Sequence, residues 1–131
     1  MTTASVYIGR TEVARDLPAD DLDRFLEPEE KSGLYSLVSM CLVPVDYRFV
    51  GLPQECSDSR VFTLDSLEMA RDSLRDHLEK ARIDRDVFER RLRCTLYQNA
   101  IDILSRYIDL LQSYRDCVVP GDDRRATLVV Y

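Results

Sequence analysis

Residues 54–119 contain neither proline nor glycine. A run that long without the two strongest helix breakers leaves helix as the natural state of the middle of the chain. Its second half shows the helical period directly. Tyr97, Ile101, Leu104, Ile108 and Leu111 follow one another at steps of four and three. Leu96, Ala100, Ile103, Tyr107, Leu110 and Tyr114 form a second apolar row beside them. Polar residues such as Gln98, Asp102, Ser105 and Asp109 hold the opposite side. This apolar stripe is wider than a two-position coiled-coil seam, so it predicts contact with two neighbours, such as a sheet and another helix.

The first half follows a different register. Leu64, Leu67, Leu74, Leu78 and Ala81 extend forward to Phe88 and Leu92, and then run into Thr95, Asn99 and Asp102. The stripe of the second half is displaced by two positions, roughly 200° around a helix at about 100° per residue. The spacing predicts two helices, about 64–82 and 86–116, packed as a hairpin. A single bent helix that changes partners midway is the rival. The break falls at Ile83-Asp84-Arg85-Asp86, where Asp86 and Glu89 have capping-box spacing and Asp84 is a second candidate cap. Acid-to-base pairs at i,i+4, such as Asp86–Arg90 and Glu89–Arg93, add about 0.2–0.5 kcal/mol each to a helix.

Around this core the sequence reads as strand-forming. Residues 4–9 and 126–131 read as short strands. The apolar run 34–44 reads as a buried strand closed by Pro44, and the alternating 45–50 as its partner. Leu17–Leu26 reads as a short helix, with Pro18 in its first turn and Asp20 and Asp21 at its positive end. Glu27, Glu29 and Glu30 form an acidic knob, and residues 120–123 carry a turn signal. The expected fold is therefore α+β: a small mixed or antiparallel sheet packed against a short helix and a long two-helix segment, in one domain of 131 residues. The element order resembles in outline the split βαβ, ferredoxin-like arrangement.

Composition narrows the function classes. The net charge is −6, which disfavours the whole surface as a binder of nucleic acid or anionic membrane. Residues 1–60 carry 11 acids and 6 bases, and residues 61–117 carry 11 and 10. No apolar run approaches the roughly 20 residues a membrane-spanning helix needs. The start, MTTASVYIGR, lacks a charged leader followed by an apolar segment. A soluble chain in the cytoplasm or nucleus, not secreted and with reduced cysteines, is expected. Arginine outnumbers lysine 16 to 2. In a compact chain without a motif, this composition fits a viral or phage regulator.

No catalytic constellation emerges. Cys41, Cys56, Cys94 and Cys117 have no C-x-x-C pair, and His77 is the only histidine, so neither a metal nor a cofactor is expected. Cys41 is expected within the buried strand, Cys94 on the apolar helix face, and Cys56 and Cys117 near exposed loops. His77 lacks a neighbouring nucleophile. The acids Asp20, Asp21, Asp23 and Glu27 lack calcium-loop spacing, and acids at a helix start explain them better. The one dense basic run is Lys80, Arg82, Arg85, Arg90, Arg91 and Arg93, beside Phe88, which is expected in the core.

The leading expectation is a non-enzymatic protein-interaction module, a regulatory, adaptor or accessory subunit, which self-associates as a homodimer. Its partner-binding face would be Tyr97, Ile101, Leu104, Ile108, Leu111 and Tyr114. The alternative is a nucleic-acid-binding dimer that uses the basic segment 80–93. A small enzyme of unrecognised type is the third reading.

Overall fold

The computed structural model describes residues 2–26, 33–117 and 125–131. Four strands form one sheet: β1 (Thr3–Ile8), β2 (Thr11–Pro18), β3 (Arg60–Thr63) and β4 (Ala126–Val130). Four α-helices accompany it: α1 (Asp20–Leu26), α2 (Gly33–Cys41), α3 (Leu64–Arg82) and α4 (Val87–Asp116). The sheet order is β2-β1-β4-β3, and every neighbouring pair is antiparallel. The α+β class is therefore as expected. The ferredoxin-like outline is not, because a split βαβ unit requires parallel crossovers and this sheet has none.

The helical hairpin forms where the register shift predicts it. Thr63 ends β3 and caps α3, its hydroxyl accepting from the Ser66 amide at 3.0 Å. Asp86 caps α4 by accepting from the amides of Phe88 and Glu89 at 3.0 and 3.1 Å. An aspartate side chain does here what glycine or proline does at many helix turns.

The sheet is covered on both faces. The helices take one face, where Ala4, Val6, Ile8, Phe62, Leu128 and Val130 meet Leu67, Leu74, Leu104, Ile108 and Leu111. The opposite side chains, Tyr7, Val61 and Val129, pack under Leu52 and Cys56, with Val45, Tyr47 and Val50 at the margin. The two central strands are buried along nearly their whole length as a result.

Four local expectations are corrected. The run 34–44 is not a strand, because residues 33–41 are helical. A short apolar run carries no period that separates buried strand from buried helix, and Val38 and Leu42, four apart, both turn inward. Residues 45–50 do not form a strand either. Val45 makes a single bridge to Val61, and the chain then turns. Asp46 accepts from the Arg48 amide at 2.9 Å, and Gly51 takes a φ of 73° that closes the turn. The short helix begins at Asp20 rather than Leu17, and Leu17 and Pro18 belong to β2. β2 and β3 themselves were not expected. Gly9, with a φ of 62°, opens the two-residue turn that pairs β2 with β1. The acidic knob and the 120–123 turn lie outside the described residues.

Ile108 is 1% exposed at the centre of the α4 face. Ile108→Ala should cost about 2–5 kcal/mol in urea denaturation, and Ile108→Asp should abolish folding. Near-native stability in the aspartate variant would contradict this packing.

Candidate docking surface at the hairpin tip

The structure places most of the expected partner-binding face on the inside. Tyr97, Ile101, Leu104, Ile108 and Leu111 are buried in the core of the single chain, and Tyr114 is half-buried against it. The two neighbours anticipated from the width of the stripe are the sheet and α3. A surface open to a partner lies elsewhere.

One such surface is the turn between α3 and α4. The first two turns of α4 overhang the core: no residue from Val87 to Thr95 is buried, and burial resumes at Leu96. Four large apolar side chains stand in solvent here: Ile83 at 81% exposure, Phe88 at 72%, Val87 at 51% and Leu92 at 44%. Phe88 is therefore not the core residue that the forward register implied. Phe88 and Leu92 are one turn apart and form a short ridge, with Val87 and Arg91 on its flank.

The charges of the tip divide into two sets. The acids are occupied. Asp84 accepts from the Asp86 amide at 3.0 Å, and Asp86 caps α4. Glu89 pairs with Arg93 at 3.3 Å, and Glu79 pairs with Arg82. Arg90 donates to the Asp84 carbonyl at 3.4 Å. Lys80, Arg85 and Arg91 are exposed and make no ion pair among the described residues. Segment 79–93 holds six bases and four acids in a chain whose net charge is −6. The basic run thus splits into cations that hold the turn together and cations that face outward.

Other surfaces offer less. A groove of about 430 Å³ is bounded by Leu17, Pro18, Asp21, Arg106, Tyr107 and Leu110. Its polar groups satisfy one another: the Tyr107 hydroxyl donates to Asp21 at 2.6 Å, and Arg106 donates to the other carboxylate oxygen at 2.7 Å. Burial, and then the Asp21 contact, push the Tyr107 hydroxyl well above its ordinary pKa. It is a neutral clamp joining α1 to α4. Tyr7 is similar: burial, then hydrogen bonding to Tyr131 and Glu12, holds its phenol protonated. The outer edge of β2 is an irregular strand carrying Arg15, Asp16 at a φ of 57° and Pro18, features that discourage pairing with another chain.

The remaining candidates are not brought together. His77 is half-buried, its ring 6.2 Å from that of Tyr97. Cys56 is buried rather than exposed, and burial raises its thiol pKa. Cys41 lies at the end of α2, 3.5 Å from the Ser73 hydroxyl. Cys94 is half-buried against the core, and Cys117 is exposed. Asp20 accepts from the Thr2 amide at 2.7 Å. Among the described residues no group of three His, Cys, Asp or Glu side chains could hold a metal ion. No helix among them is long and apolar enough to cross a membrane. No family model, curated protein or solved structure matches the chain.

The tip depends on its cap. Asp86→Ala should cost about 1 kcal/mol in thermal or urea melts and speed amide exchange over residues 87–92, whereas Asp86→Asn should retain most of the stability. Equal stability in all three proteins would show that the cap does not hold the turn.

Proposed function

We propose that this protein is a non-enzymatic interaction module, a regulatory, adaptor or accessory subunit that docks on a partner protein through the tip of its helical hairpin. The observation that carries the reading is the placement of Ile83, Val87, Phe88 and Leu92. They are exposed together at one end of a helical hairpin whose other apolar residues, Met69 apart, are buried or half-buried. Large side chains clustered in solvent beside arginine are the composition of a protein-binding surface rather than of a solvated helix end. No residue from Val87 to Thr95 is fully buried, so core packing does not account for the large apolar side chains there.

Self-association through Tyr97, Ile101, Leu104, Ile108 and Leu111 is not part of this reading, since those side chains already pack against the chain's own sheet and α3. The groove beside Tyr107 lends no support to a catalytic role, since Tyr107 and Arg106 are both engaged by Asp21.

Phe88→Asp combined with Leu92→Asp tests the reading. Both positions are exposed, so the melting temperature should move by no more than a few degrees. Affinity capture with cross-linking from the source cells should recover a partner cross-linked within residues 83–92 of the wild-type chain and lose it in the double variant. The same partner recovered through both proteins, or cross-links confined to other surfaces, would overturn the tip as the docking site.

A further inference from the structure

We infer that the occupant of the tip is an acidic amphipathic helix of a partner protein. It would set apolar side chains on the Phe88–Leu92 ridge and place carboxylates against Arg85 and Arg91. This inference rests on the docking role given above and adds the chemistry of the partner.

Charge complementarity is the first argument. The acids of the tip are spent on caps and pairs, while Lys80, Arg85 and Arg91 have no ion-pair partner among the described residues. A patch with two more bases than acids stands out on a chain of net charge −6. Exposed guanidinium groups suit bidentate contacts with carboxylates, and opposite potentials across an interface speed encounter and reject wrong partners.

The shape of the anchors is the second argument. Phe88 and Leu92 lie one helical turn apart at the free end of α4, with Val87 beside them and Ile83 in the turn. A ridge with i,i+4 spacing packs into the groove between side chains of another helix, with apolar anchors at matching intervals. A nucleic acid would leave these apolar side chains without a complementary surface. It would also find only three outward cations locally, among three carboxylates, Asp84, Asp86 and Glu89, on an acidic protein. A symmetric contact between two copies of the tip would cover the apolar ridge but bring no spare carboxylates to Arg85 and Arg91, because the acids of the tip are already engaged.

Fluorescence anisotropy with the full chain tests the inference. The probes are a labelled amphipathic helical peptide of leucine, phenylalanine and glutamate, its counterpart with lysine for glutamate, and a labelled DNA oligonucleotide. The acidic peptide should bind and weaken as salt rises, while the lysine peptide and the DNA should not bind. Arg85→Glu with Arg91→Glu should weaken the acidic peptide roughly tenfold or more, and so should Phe88→Ser with Leu92→Ser. Unchanged thermal melts establish that both variants fold. If the serine pair abolishes binding while the charge reversal leaves it intact, the tip remains a docking site and the acidic chemistry is wrong. If neither pair alters binding, the tip itself is wrong. No binding of the acidic peptide to the wild-type chain overturns the acidic-helix occupant. DNA binding lost in Arg85→Glu/Arg91→Glu replaces the protein partner with nucleic acid. A light-scattering mass that rises with concentration and falls back in the serine pair replaces it with a second copy.

Discussion

The apolar face of α4 is the contact on which the rest of the structure depends. It supplies the floor under β1 and β4 and the inner wall against α3, and Leu104, Ile108 and Leu111 at its centre are almost wholly removed from water. β1 and β4 can be apolar on both sides only because one side meets this helix and the other meets the 45–56 segment. The short β3 and the cap at Thr63 then place α3 alongside. α3 shares this role through Leu67 and Leu74, but α4 carries the larger set of buried side chains.

The same helix explains the exposed tip. α4 has 30 residues, whereas α3 has 19, and the sheet they cover is narrow. The buried positions of α4 run from Leu96 to Leu111, so its first two turns lie outside its buried stretch, even though α3 stays buried as far as Ala81. What happens at that end is decided by polar chemistry instead of packing. Aspartates organise the turn, arginines neutralise them, and the apolar side chains among them find no partner in the described chain. A stable body thus carries a projecting end whose surface contributes little to its own stability.

Much of this was legible in the sequence. The missing breakers, the two registers and the acid at position 86 locate the hairpin almost to the residue, and Ala126–Val130 announces its strand through composition alone. Leu34–Val45 misled because a short apolar stretch, interrupted by Ser36 and Ser39, suits either secondary structure, and the choice is made by what it packs on. Val45–Val50 misled because alternation was outweighed by the Asp46 turn and by Gly51. β2 is nearly invisible, since an edge strand with Glu12, Arg15 and Asp16 lacks the apolar alternation that marks a half-buried one. The width of the α4 stripe correctly implied two neighbours. It did not reveal that both belong to the same chain, because amphipathicity records that a face is covered and not by whom. Exposure of Phe88 was equally hidden, since its register continues the buried row of α3.

The central claim is that one chain satisfies the α4 face by itself. The most direct test is the melting temperature of the isolated protein across a hundredfold range of concentration. If the face is filled internally, the transition stays where it is, because no association is lost on unfolding. A melting temperature that climbs with concentration, together with a dimer mass by light scattering, would mean that a second copy completes the core, and would contradict the account.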